Sequence, residues 1–520
     1  MPGLQSGVDP SEFVNSRLGV NTLQSAKIAL GLGLLSLVAA VGCGTGGAPI
    51  IPNTTGSFTN ASLKGSYVYE IHGIFLDVNQ NFQPFRLVGV FTADGNGNIT
   101  GGVDDSSLGA STTAAVTGSY LIASDGTGTM SLNTSSVGPI NLAITMVTTG
   151  NVNLMEADSG VTGGGTALQQ DSNAITSTPS GTFVFRVHQE VSAENSAPSG
   201  EVGAVALSNG AGSGNMDQNL TGSFTSPSIS WTMTVPGALG RGTGSFTNAS
   251  TNFPTNFIYY IVNSSHMVLL VSSANAVGSG DAELQTGAVS GGLSGSYAFG
   301  SLGDDNNFFS GINTVGQFTA SSGSINGTQD INTDGTVSSK LSFSSCYTAA
   351  ANGRVAVSSV SGNTCTSTLT QVFWMVSPSR AFFVNASATA SEDGTADLQT
   401  TSNFANSTLK GQFGLAMDGW DTNPESLSRV GVLQFDGSGR LTLVELVGTS
   451  FSGGAAPSQG GALAGPYSAS ANGRITGSLG NSSLGSGALN FVMYAVSPSQ
   501  AYVLQTDQGT FSSGTIQLQQ

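Results

Sequence analysis

The sequence repeats itself four times, and the period decides what it can fold into. "LKGSYVYEI" begins at Leu63, "SGTFVFRV" at Ser180, "LSGSYAFG" at Leu293 and "LKGQFGLAM" at Leu409. Their shared glycines, Gly65, Gly181, Gly295 and Gly411, are spaced by 116, 114 and 116 residues. The copies also close alike, on "ALQQ" with Leu168, "AELQ" with Leu284, "ADLQ" with Leu398 and "IQLQ" with Leu518. Internal phrases agree too, as in "VFWMVSPSRAFFV" (372–384) and "FVMYAVSPSQAYVL" (491–504). A unit of this size buries about two-thirds of its unfolded surface and can fold alone. Four domains are therefore expected, over 63–171, 172–290, 291–400 and 401–520.

Within the first copy, strand-like runs begin near Gly65, Phe85, Asn98, Ala115, Thr127, Ile140, Asn151 and Thr162. The breaks include "DGNG" and "DGTG", whose Asp-Gly pairs suit hairpin turns with φ > 0. Eight strands in about 110 residues leave no room for helical crossovers, so neighbours are antiparallel. The opening strand alternates. Tyr67, Tyr69 and Ile71 share one face, as do Phe183, Phe185 and Val187, Tyr297 and Phe299, and Phe413, Leu415 and Met417. These predict a core face, and the opposite face, with Ser66, Glu70, His72, Arg186, His188 and Asp418, a solvent face. The expected fold is all-β: four tandem antiparallel domains, as eight-stranded up-and-down barrels, which abolish exposed edges, or alternatively as β-sandwiches. The "L-x-G-x-aromatic" opening resembles the first strand of lipocalin and avidin barrels.

Composition narrows the function classes. The chain has 520 residues, a net charge of −17 and only 13 Lys plus Arg. Nucleic acid and anionic lipid both call for clustered positive charge, so neither is an expected electrostatic partner.

The amino terminus points to export. Arg17 and Lys27 precede the apolar run from Ile28 to Gly42, which ends at Cys43. Fifteen helical residues reach about 22 Å, short of the roughly 30 Å hydrocarbon core, so a cleaved signal fits better than a span. "AVGC" resembles the bacterial lipoprotein signal, which implies lipidation of Cys43, a signal peptide over 1–43 and a linker over 44–62. Export and an even remainder of cysteines make a Cys346–Cys365 disulfide the simplest arithmetic, with two free thiols as the alternative.

Catalytic signals are scarce. "FTADGNGNITGG" (91–102) sets Asp94, Asn96 and Asn98 at alternate positions, like a calcium loop, but Ile99 stands where the loop glycine belongs. The corresponding fourth-copy turn is "DGSGR", with Arg440 in place of an oxygen ligand. A hairpin turn is expected. His72, His188 and His266 are expected to be exposed and apart. The acidic pairs Asp104/Asp105, Asp304/Asp305 and Glu392/Asp393 read as solvated loop charges. Trp231, Trp374 and Trp420, one in each of the last three domains, read as core rather than carbohydrate platforms. No catalytic residue, cofactor or metal ligand is assigned.

The chain resembles repeat lipoproteins of bacterial envelopes. That resemblance implies a non-enzymatic protein, lipid-anchored to the cell envelope at the outer membrane or cell surface, with a structural or adhesive role. Its partners would be the membrane, through the lipid, and a surface glycan or protein. The alternative function is small-ligand or glycan binding in the barrel mouths.

Overall fold

Glycine turns and alternating apolar runs give the first copy eight antiparallel strands: β1 (Lys64–Leu76), β2 (Phe82–Asp94), β3 (Asn98–Ser106), β4 (Ala114–Ile122), β5 (Thr127–Thr134), β6 (Gly138–Thr148), β7 (Asn151–Glu156) and β8 (Val161–Gln169). Each pairs with the next, and β8 pairs back onto β1, so the sheet closes as a barrel. The computed structural model describes residues 57–77, 81–108, 114–134, 136–191, 197–248, 255–305, 311–362, 364–421, 426–449, 458–459, 463–480 and 489–520. Cys43 and the proposed signal lie outside them.

The other three copies build the same eight-stranded closed barrel, over Gly181–Leu284, Gly295–Leu398 and Gly411–Leu518. Domains 2 and 4 each add one short strand, Ser223–Thr225 and Ser458–Gln459, beside the third barrel strand. The sandwich alternative is thereby set aside.

The pleat places the opening-strand aromatics inside, as expected. Tyr67, Tyr69 and Ile71 are fully buried among Phe91, Leu132 and Leu154. Phe183, Phe185 and Val187, Tyr297 and Phe299, and Phe413, Leu415 and Met417 fill the other three interiors. Residues just before β1 plug one end of barrel 1. The Tyr120 hydroxyl donates to the carbonyls of Asn60 (3.1 Å) and Leu63 (2.7 Å), and Asn60 Oδ1 accepts from the Ile122 amide at 2.9 Å. Tyr467 and Asn406 repeat this in domain 4.

The opposite face is not a solvent face, and this corrects the expectation from the sequence. The first strands of each barrel pack against the last three strands of the next. Val68, Val88 and Val90 of domain 1 meet Ile258, Tyr260 and Leu270 of domain 2. Val184 and Val202 meet Val372, Trp374 and Val384 of domain 3, and Ala298 and Val315 meet Val492, Tyr494 and Leu504 of domain 4. The first two strands of domain 4, Gly411–Asp421 and Ser426–Phe435, return to pack on β6, β7 and β8, where Val430 meets Ala143 and Met155. Four barrels thus form one closed head-to-tail ring. Each fully buried valine contributes roughly 1.5–3 kcal/mol relative to exposure, so these outward residues bind the domains together.

A second correction concerns the closing phrases. Gln169 pairs with Tyr67, whereas Leu284, Leu398 and Leu518 pair with Phe183, Tyr297 and Phe413. The first copy is therefore shifted by one residue relative to the matched leucines. Leu168 points out of its barrel, packed against the domain 1–2 cluster.

Candidate functional site

Ring closure creates the polar sites of this protein, because it buries charged residues that single barrels would leave wet. Three interfaces carry the same lock. Asp105, at the end of β3, is fully buried and accepts from Arg241 Nε (2.6 Å) and Nη2 (2.8 Å) and from the Tyr260 hydroxyl (2.6 Å). Asp217 accepts from Arg354 Nε (2.8 Å) and Nη2 (2.6 Å) and from Trp374 Nε1 (2.8 Å). Asp330 accepts from Arg474 Nε (2.8 Å) and Nη2 (2.6 Å) and from the Tyr494 hydroxyl (2.7 Å). Bidentate guanidinium pairs of this kind fix geometry as well as charge. Burial acts to raise the Asp330 carboxyl, but the bonds from Arg474 and Tyr494 outweigh it and hold it below its ordinary value.

A second polar group is formed where opening and closing strands of neighbouring domains come together. His72 sits 3.2 Å from Glu70 and 3.7 Å from Asp418 of domain 4, and Ser279 of domain 2 donates to Glu70 at 2.8 Å. Burial acts to lower the His72 imidazole, yet Glu70 and Asp418 prevail and raise it to about 10. His188 lies 2.7 Å from Asp393 of domain 3, and Arg380 spans Glu283 (3.0 Å) and Asp397 (2.9 Å). His266 lies 2.8 Å from Asp281. The histidines are therefore partnered rather than free, a correction to their expected exposure. His72 and His188 each reach a carboxylate of a neighbouring domain.

The acidic pairs need the same correction. Asp104 and Asp105 are both 0% exposed and lie on a strand. Successive side chains point to opposite faces. Asp104 points into barrel 1, where the Tyr69 (3.0 Å) and Thr134 (2.7 Å) hydroxyls donate to it, and Asp105 points out to the lock. Glu392 and Asp393 divide likewise: Thr314 donates to Glu392 at 2.8 Å, and burial pushes Glu392 up to about 7. Asp304 and Asp305 end a strand, Gly295–Asp305, rather than lying in a loop.

The "DGNG" turn is a hairpin. Asp94 Oδ1 accepts from the amides of Asn96 (2.6 Å) and Asn98 (3.0 Å), with Gly95 and Gly97 at φ 84° and 104°. Asp436 makes the same bonds to Ser438 (2.7 Å) and Arg440 (3.0 Å), so the arginine substitution is neutral to the turn's geometry. The carboxylate's oxygens are spent on the chain itself. Among the described residues, no group of three or more His, Cys, Asp or Glu is arranged to hold a metal ion.

Trp231 is core, packed between Phe185 and Phe257. Trp374 serves the domain 2–3 lock, a role that its sequence context does not reveal. Trp420 lies 6.3 Å from Phe82 of domain 1. Cys346 and Cys365 are joined by a disulfide, Cα atoms 5.8 Å apart, linking strands Thr336–Ala349 and Thr364–Ser377.

The fold and these sites define an all-β protein of four tandem eight-stranded barrels closed into a ring. No family model matches the chain, and no curated protein matches it. Among solved structures that match is the isotype 1 transferrin binding protein B (TbpB) from serogroup B Neisseria meningitidis, at 9% identity and a TM-score of 0.20, covering 72% of this chain and 84% of that one. At so low a score, nothing of that protein's binding transfers to this chain.

Proposed function

We propose that this chain is an exported, non-enzymatic envelope protein, anchored through lipid on Cys43, in which a rigid ring of barrels plays a structural or adhesive role. The observation that carries this reading is that aromatic and aliphatic side chains fill all four interiors. A void beside Phe299, Phe318 and Phe343 in barrel 3 measures about 10 Å³, at most enough for one water. Chambers of the kind that hold a ligand in open barrels measure hundreds of Å³. The outer walls carry polar pairs such as the Thr232 and Ser245 hydroxyls (2.9 Å) and Ser344, whose hydroxyl donates to Asn326 Oδ1 (2.8 Å).

Labelled fatty acid fed to a bacterial host should enter the wild type and not Cys43→Ser. Equal labelling would overturn the anchor. Cells displaying the protein should adhere to a surface that cells with Cys43→Ser do not hold, and equal adherence would remove the adhesive role.

One observation favours a second reading. A cleft of about 610 Å³ lies between domains 3 and 4, lined by Val337, Ser339, Pro466, Thr476, Asn490 and Thr506 among others. Its size and its mixed walls, with the rings of Tyr467 and Phe491 beside the hydroxyls of Ser468 and Thr476 and the guanidinium of Arg474, suit a small glycan. Binding to a glycan array that Thr476→Trp abolishes would favour this reading over the structural one.

A further inference from the structure

Barrel 2 carries an acid in its core. On the strand Gly181–Val191, Gln189 follows Phe185 and Val187 on the inward face, and Glu201 of the strand Ala197–Ser208 lies beside it. Glu201 is 1% exposed and Gln189 4%. One Glu201 oxygen, Oε1, accepts twice, from Gln189 Nε2 at 2.7 Å and from Gln218 Nε2 at 2.6 Å. The other, Oε2, is buried without a donor, and so is Gln189 Oε1. A carboxylate leaves both of those oxygens unanswered. A neutral acid answers both, because an O–H on Oε2 donates to Gln189 Oε1 while Gln189 Nε2 donates back. Burial pushes Glu201 up to about 7, against the bonds from Gln218 and Gln189. The arrangement is particular to this barrel: Gly73, Gly303 and Gly419 stand eight residues after their repeat glycines, where Gln189 stands after Gly181. Room for the glutamine comes from Gly278 on the neighbouring strand, where a Cβ would fall 2.4 Å from that of Gln189.

We propose that Glu201 and Gln189 form a proton-held clasp that keeps the domain 2–3 seam shut. The strands that carry the clasp present the seam on their other face. Gly200, next to Glu201, donates its amide to Ser391 Oγ at 2.8 Å. Gln218 stands between Asp217, which is locked to Arg354 and Trp374, and Asn219, whose Nδ2 donates to Asn385 Oδ1 (2.8 Å) and the Ala390 carbonyl (2.9 Å). Ionisation sends the Oε2 proton to solvent and breaks the bond to Gln189, which leaves a buried carboxylate oxygen against an amide oxygen. Of the charged residues on the strands packed against Ala197–Ser208 (Arg186, His188, Glu190 and Asp217 outside barrel 2, and Asp304, Arg380, Glu392, Asp393 and Asp397 in domain 3), Asp393 acts on Glu201 and opposes its ionisation further. Uncompensated buried charge is costly. Its relief is to reach water, which displaces Gly200 and Gln218 and with them the seam contacts of domain 3. The folded value lies above the ordinary 4.5, so the clasp is complete below about pH 4.5 and is lost as pH rises through 7. The seam is shut in acid and loosened in alkali.

The test compares the full chain with its Glu201→Gln variant, whose amide keeps the paired bonds of the neutral acid and cannot ionise. Both are melted at about pH 5 and about pH 9, and hydrogen exchange read by mass spectrometry follows the seam segments 197–208 and 385–393. Titration of Glu190, Glu392 and the histidines is common to both chains, so the difference between them reports Glu201. The variant should gain in melting temperature relative to the wild type as pH rises through 7. At about pH 9 the seam segments should exchange faster in the wild type than in the variant, while segment 142–156 of the domain 4–1 seam exchanges alike in the two. The clasp is overturned if the gap in melting temperature does not widen between those pH values, or if Glu201→Gln fails to fold. Its hold on the seam is overturned if the seam segments exchange equally in both chains.

Discussion

Asp105 is 0% exposed and answered by three donors, so the two ways of removing it should differ sharply. Asp105→Ala leaves Arg241 without its carboxylate in a mostly buried site and should cost on the order of 3 kcal/mol, read as a lowered melting temperature. Asp105→Leu with Arg241→Thr removes both partners together, strands no charge and should recover most of that loss. His72 gives a pH dependence. Its folded value near 10 lies above the ordinary 6.5, so its contribution is complete below about pH 6.5 and lost as pH rises towards 10. His72→Gln should flatten the melting-temperature profile across that window, and an unchanged slope would contradict the Glu70–His72–Asp418 link. In the "DGNG" turn, Asp94→Asn retains an acceptor and should change stability little. Gly95→Val, at φ 84°, should cost about 1 to 3 kcal/mol by strain. Calcium should shift the melting temperature of neither variant.

Strands and turns were the most legible elements, because their causes are local. The eight expected starts in the first copy fall within three residues of those observed, since Asp-Gly turns and period-two alternation act over a few residues. The inward face was legible for the same reason. The partner of the outward face was not, because Val68 and Val184 look alike whether solvent or another barrel covers them. Asp105 and Arg241 are 136 residues apart, and Asp330 and Arg474 are 144 apart. A signal did exist: Gly-Arg recurs at 240–241, 353–354 and 473–474, with Gly-Thr at 126–127, in a chain with few basic residues. The disulfide belongs to this scale as well. Its closure spans 19 residues, and opening such a loop should cost roughly 3 kcal/mol. Reduction of the oxidised protein should lower its melting temperature, and Cys346→Ser with Cys365→Ser should reproduce the loss and abolish the response to reductant.

At the scale of the molecule, the repeat predicts four modules but not their arrangement, because a string and a ring have the same strands, turns and cores. What separates them is the exterior of each barrel. Val68, Val88, Val184 and Val202 would be exposed on a string and are at most 1% exposed in the ring. X-ray scattering from residues 57–520 in dilute solution decides between the two arrangements. A compact chain of this length has a radius of gyration of about 23 Å, whereas four such barrels in a row give roughly 34 Å. A concentration-independent value near the first is predicted, and a value near the second would contradict the closed ring.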